Sequence, residues 1–307
     1  QYVAGVVAYM GTKSYVDRCA SNATVTGTST YVGGITGSVS QTTSELTNCY
    51  NIGNISGTAS CAGVAGYNHK DAVIENLFSL GEVTGNKVAA CVGGTSAKNK
   101  AKNIFATTEY DIFEGQTTVT VEQMAAGEVA YLLGEAFGQQ IGVDAHPVLG
   151  GAHVYKVTYT TNLSEEADSL YTNDQLPQLE VVDGYRPVWK RSPDGEEVTE
   201  VAADCTLFVE YRAIAVEGIV LNQTTATLTE GDTFTLTATI TPDNAADKTV
   251  VWSSSDNNVA TVENGVVTAV APGTATVIAT VGGYSATCVV TVEAAVHPIT
   301  SLLELSN

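Results

Sequence analysis

Laying GTSTYVGGITG (Gly27 to Gly37) over GTASCAGVAG (Gly57 to Gly66) shows that the chain repeats itself at a period of about 30 residues. The segments between align as well: RCASNATVTG (Arg18 to Gly27), NCYNIGNISG (Asn48 to Gly57) and NLFSLGEVTG (Asn76 to Gly85) share an apolar residue and then a β-branched residue two places before a closing Gly. Two eroded copies flank them, at Tyr2 to Tyr9 and at Cys91 to Phe105. One such repeat cannot bury its own apolar face, so the copies must stack into a continuous ladder. A parallel β-solenoid of about four coils is the expected solution.

Side chains alternate along a strand, so Val25, Ile55 and Val83 are expected to stack inside while Thr26, Ser56 and Thr84 face solvent. Cys19, Cys49, Leu77 and Ile104 share one column, and a column shared with Leu and Ile indicates packing. Neighbouring coils lie ~4.8 Å apart, so a Cys19–Cys49 disulfide is within reach, but in-register parallel geometry strains it and free thiols are expected. The six cysteines, which include Cys61, Cys91, Cys205 and Cys288, form no C-x-x-C pair. They read as small buried hydrophobes.

These repeats resemble the GLUG motif family, whose Gly, apolar, any, Gly signature matches Gly34-Ile35-Thr36-Gly37 and Gly63-Val64-Ala65-Gly66. The outer copies depart from it, with Ala8 and Ala97 replacing the last Gly. The resemblance covers about the first third of the chain. It implies a secreted or surface protein of a bacterium with other modules downstream.

After the repeats, Thr120 and Gln123 form a capping box, and Val121, Ala125, Val129, Leu132 and Leu133 recur at helical spacing until Gly134. This predicts an apolar helix covering the open end of the solenoid. FGQQIGVDAHPVLGG (Phe137 to Gly151) is similar to segments that follow GLUG arrays. Beyond it, VYKVTYTT, LPQLEVVDGYRPVW (Leu176 to Trp189) and TLFVEYRA (Thr206 to Ala213) read as strands and turns. Their order resembles the Listeria and Bacteroides repeat, which implies a small β-grasp module, although Val188 stands where that family has Gly before Trp. Tyr185 and Trp189 are expected in its core.

From Ala215 to Glu293 the chain reads as about seven strands in which Thr alternates with Ala, Val, Ile and Leu, the two-faced pattern of a sandwich. Phe234, Leu236, Ala238 and Ile240 are expected in the core with Trp252 and Val259, and Asn264-Gly265 as a tight hairpin turn. The stretch VVWSSSDNNVATVENGVVTAVAPGTATVIAT resembles a group 2 bacterial Ig-like domain, a family with no catalytic residues to carry over. The expected fold class is thus mainly β. It divides into a GLUG-type β-solenoid at 1–112, a helical cap or connector at 113–152, a small β-grasp-like module at 153–214, an Ig-like β-sandwich at 215–293 and a tail at 294–307.

Acidic residues number 33 against 13 basic, a formal charge of −20 that would repel a nucleic acid. No apolar run reaches the ~18 residues that span a bilayer. The chain opens inside a repeat, as a piece of a longer protein would. His69, His146, His153 and His297 lack a metal-ligand spacing, and neither a metal nor a cofactor is expected. His69-Lys70-Asp71 and the basic loop Lys98, Lys100, Lys102 read as solvated loops, and no G-x-S-x-G occurs.

One constellation points to binding. Tyr50, Phe78 and Phe105 follow the interior column directly, so alternation sends them outward, where flat rings could stack on sugars or on a protein partner. The alternative is that the chain turns a corner there and buries them. The expectation is an extracellular or cell-surface bacterial protein for adhesion, display or scaffolding, not an enzyme, whose partner is a surface glycan or an extracellular protein. The second reading is a catalytic or non-catalytic part of a polysaccharide-active β-solenoid enzyme, which would need clustered acidic and basic side chains on adjacent coils. A third, an ice-binding solenoid, would need a longer Thr array than Thr26, Ser56 and Thr84 supply.

Overall fold

The computed structural model describes residues 1–28, 30–69, 71–94, 101–108, 110 and 115–296. Lys70, Lys98, Lys100, Ala97 and most of the tail, His297 included, lie outside them. The chain separates into two compact units: Gln1–Thr160 with Ser164–Pro177 and Asp194–Phe208, and Thr161–Leu163 with Gln178–Pro193 and the chain from Val209 onward.

The first unit opens with the stacked coils, whose strands form three parallel sheets, the first three coils contributing to each. Tyr2–Ala4, Tyr31–Gly33, Ser60–Ala62 and Lys87–Ala89 make the first sheet. Val25–Gly27, Ile55–Gly57 and Val83–Thr84 make the second. Glu45–Asn51, Val73–Ser79, Lys102–Ala106 and Gln116–Thr118 follow Tyr15–Asp17 in the third. The expected columns are in register: Val25, Ile55 and Val83 are buried, while Thr26 and Thr84 are exposed with Ser56 half-buried. Cys49, Leu77 and Ile104 are sealed in the main core, Cys19 packs at its margin, and all six cysteines are free.

The signature glycines follow from how closely the coils approach. A Cβ on Gly34 would lie 2.2 Å from the Gly63 carbonyl oxygen, and one on Gly63 would lie 1.9 Å from Ser79 Oγ. Any side chain there would force the stack apart.

At one corner the successive coils each place a residue of positive φ: Arg18 (52°), Asn48 (52°), Asn76 (58°), Asn103 (54°) and then Gly115 (102°). Asn tolerates this left-handed region better than most residues because its short side chain bonds locally. Here the bonds run along the stack. Asn103 Nδ2 donates to Asn76 Oδ1 at 2.9 Å, Asn76 Nδ2 to Asn48 Oδ1 at 2.9 Å and Asn48 Nδ2 to Asp17 Oδ1 at 2.7 Å. Burial alone would raise the Asp17 carboxyl, but the hydrogen bonds from Asn48 and Thr47 and the Arg18 charge hold it below its usual value.

The expected single helix is two, α1 (Val121–Ala125) and α2 (Glu128–Leu133), split at Gly127 with φ 91°. The Thr120–Gln123 capping box is formed. Gln139 is fully buried and donates Nε2 to the Met124 and Ala125 carbonyls, closing the C-terminal end of α1. Met124, Val129 and Leu133 pack on Phe78, Phe105 and Phe137, so the helices cover the outer face of the third sheet and not the end of the ladder. Val121 and Leu132, expected inside, are 63% and 42% exposed because the break at Gly127 shifts the buried stripe.

Residues 153–214 contain strands and no helix. Tyr155–Thr161 pairs antiparallel with Asp168–Thr172. Trp189 is buried as expected, but Tyr185 is 38% exposed because it follows directly on the Asp183-Gly184 turn.

In the second unit nine strands, Gly218–Leu221 through Tyr284–Glu293, form the sandwich. The expected strand through Phe234 and Ile240 is interrupted. Leu236 N donates to the Gly265 carbonyl at 2.8 Å and Thr237 N to Asn222 Oδ1 at 2.9 Å, and the chain passes from one sheet to another. Phe234 and Leu236 therefore pack with Trp252 and Val259, whereas Ala238 and Ile240 pack beside Ile219. Asn264 and Gly265, both of positive φ (49° and 83°), form the two-residue hairpin turn.

Candidate functional site

The rings expected to face outward do not form an open surface. Phe78 is 0% and Phe105 4% exposed, and Tyr50 is half-buried, stacked on Phe78 at 4.6 Å with Phe137 and His146 tilted against both. Alternation does turn them away from the solenoid interior, but α1, α2 and the Phe137 segment cover that face. Burial raises the Tyr50 phenol above its ordinary value.

A different aromatic array stays open on the first sheet. Tyr2 and Tyr31 pair in register at the first position of their strands, and Val3 and Val32 after them turn inward. Their rings stack at 5.8 Å and 12°. Tyr9 extends the row at one end, 4.8 Å from Tyr2, and Tyr67 at the other, 4.8 Å from Tyr31. Tyr2 is 36% and Tyr9 45% exposed. Across the next two coils the Tyr2–Tyr31 column continues as Ser60 and Lys87. Where the rings give out, a cavity of about 340 Å³ opens, walled by Tyr31 and Tyr67 and lined by Thr30, Thr58, Ser60, Asn86 and Lys87. Flat rings beside hydroxyl and amide groups present both stacking faces and hydrogen-bonding partners. The signal was in the sequence: YVAG and YVGG recur 29 residues apart, placing Tyr2 and Tyr31 in one column.

A larger cavity of about 670 Å³ lies in the same unit, between α2 and the start of Tyr155–Thr161. Its polar wall is a tether. Tyr131 Oη donates to Asp204 Oδ2 at 2.6 Å and Lys156 N to Asp204 Oδ1 at 2.9 Å, so both carboxylate oxygens are engaged. These two bonds, the Tyr131 one foremost, lower the Asp204 carboxyl, and the bond to Asp204 together with burial raises the Tyr131 phenol.

At His69 the contacts among the described residues stay within one turn: Nδ1 accepts from Asp71 N at 3.3 Å and lies 4.0 Å from Asp71 Oδ2. Among the described residues no group of three or more His, Cys, Asp or Glu side chains could hold a metal, and no helix is long and apolar enough to cross a membrane.

The family model of the group 2 bacterial Ig-like domain matches residues 215–292, the span of the nine-stranded sandwich. That module is a group 2 bacterial Ig-like domain. Over 84 residues, 26% of this chain, the protein is 50% identical to an alpha-L-arabinofuranosidase of Bifidobacterium longum subsp. longum, of which the match covers 8%. It is 30% identical over 174 residues to an Ig-like virion protein of Serratia phage KSP90, covering 55% of this chain and 62% of that protein. The chain thus spans less than a tenth of the arabinofuranosidase and under two thirds of the virion protein. Domains 1–6 of the surface layer protein SbsC align with a TM-score of 0.28 at 16% identity, over 44% of this chain and 24% of that one, below the level at which a shared fold follows.

Proposed function

We propose that this chain is a non-catalytic part of a bacterial extracellular or cell-surface protein that holds glycan through the tyrosine row of its solenoid. The row Tyr9–Tyr2–Tyr31–Tyr67 with the hydroxyl-lined cavity at its end carries the reading. The Ig-like domain, with no reactive constellation among its described residues, serves as a spacer. The partial identity to arabinofuranosidase sequences supports a setting within a larger glycan-directed protein. The glycine approaches at Gly34 and Gly63 support assignment of the repeats to the GLUG type.

The test is a glycan-array screen followed by calorimetry. Saturable binding that falls about tenfold or more in a Tyr31→Ala, Tyr67→Ala double variant, which removes two stacking faces, supports the reading. Binding unchanged in that folded variant, or no binding across the array, overturns it.

A further inference from the structure

Among the described residues that line the cavity at the end of the tyrosine row, Lys87 is the one charged side chain. Lys87 occupies the outward column of Tyr2, Tyr31 and Ser60, one coil beyond Ser60. Its side chain is exposed at the cavity, and among the described residues no carboxylate lines it. Elsewhere in this acidic chain Lys102, Lys190 and Lys248 are ion-paired with Glu75, Glu210 and Asp183, whereas Lys13 and Lys156 form no ion pair among the described residues. Among the described residues Lys87 has no such partner. The groups around it are those that read a sugar: the Tyr31 and Tyr67 rings, the Thr30, Thr58 and Ser60 hydroxyls, and Asn86, whose Nδ2 donates to the Thr58 carbonyl at 2.7 Å.

We infer that this cavity selects a carboxylate-bearing sugar at one end of an otherwise neutral oligosaccharide, with the carboxylate on Lys87 Nζ and the sugar face on Tyr31 and Tyr67. The inference rests on the glycan reading of the tyrosine row and adds the charge class of the ligand. A carboxylate bonded to an ammonium is a charge-assisted pair stronger than any neutral contact available in the cavity. The formal charge of −20 sets the other limit, since its field repels a uniformly charged polyanion. One acidic sugar on a neutral chain satisfies both.

The experiment uses the whole chain and neutral-backbone oligosaccharides bearing a single uronic acid, each presented as the free acid and as its methyl ester. Wild type, Lys87→Gln, Lys87→Arg and Tyr31→Ala are measured by calorimetry, with thermal melts to confirm folding. The expected result is about tenfold tighter binding of the acid than of the ester, the size of one charge-assisted contact. That preference should vanish in Lys87→Gln with ester binding intact, and return in Lys87→Arg. Fully charged oligogalacturonate should bind more weakly than the singly acidic chains. Equal binding of acid and ester, with both lost in Tyr31→Ala, overturns the inference and leaves the tyrosine row as the binding site. No binding of any pair, or binding indifferent to Tyr31→Ala, overturns both.

Discussion

Asn76 and Asn48 occupy equivalent corners of successive coils, each with positive φ, and the Asn76 side-chain amide donates to Asn48 Oδ1 across 2.9 Å. One residue type thus meets two demands: a backbone conformation that disfavours a branched or bulky side chain, and a polar link between coils.

Separate substitutions resolve the two demands. Asn76→Gly keeps the conformation and removes the link, at an expected cost of about 1 kcal/mol. Asn76→Leu loses both and is expected to cost roughly 2–3 kcal/mol, since a left-handed residue adds about 1–2 kcal/mol. Urea denaturation with tryptophan-independent detection measures both, and equal costs would show that conformation contributes nothing.

Asn68 is 1% exposed, in the column of Met10 and Val39, and among the described residues neither polar atom of its side chain has a hydrogen-bond partner. Asn68→Val restores the apolar column and is expected to stabilise by about 1 kcal/mol, because an unmet buried polar group costs that much or more. A lower melting temperature in the variant would contradict this.

Burial pushes the Cys49 thiol up to about 12, and Cys91, sealed in the same core, is raised further. The thiolate is the reactive form. Iodoacetamide at mildly alkaline pH is therefore expected to label Cys19 and Cys205, which are partly accessible, before Cys49, Cys61, Cys91 or Cys288. Peptide mass spectrometry gives the order, and early loss of Cys91 would contradict the packing.

The Asp204 carboxyl is lowered by the Tyr131 hydroxyl and then by Lys156 N. A carboxyl lower in the folded than in the unfolded chain stabilises above its unfolded value and loses that contribution as pH falls through the folded one. Tyr131→Phe is therefore expected to lower stability at neutral pH and to have less effect below about pH 3. Denaturation midpoints of both proteins across the acid range test this, and a constant difference would place the effect of Tyr131 in packing alone.

The interior columns were legible because the repeat places Val25, Ile55 and Val83 at equivalent positions, and alternation fixes which way they point. The Asn264-Gly265 turn was legible because both residues accept positive φ. The fate of Phe78 was not, because alternation says which side of a sheet a ring leaves but not what packs there, and what packs there is α2 and Phe137. The helix was read as continuous because its apolar spacing runs across Gly127, whose φ of 91° ends the first turn. Of the tyrosine row only the Tyr2–Tyr31 column is legible in the repeat, because Tyr67 reaches Tyr31 from a different coil position, a contact that no single column displays.

The glycines at Gly34 and Gly63, each directly after a strand of the first sheet, place their demand where coils touch, and the outward residues of those strands carry none of it. Tyr31, Ser60 and Lys87 stand at one outward position on three consecutive coils, with a ring, a hydroxyl and an amine respectively. The scaffold therefore behaves as a type-setter's frame. Glycine holds the lines in place while each line accepts a different character, so a new recognition face can be composed by exchanging outward residues without recasting the fold.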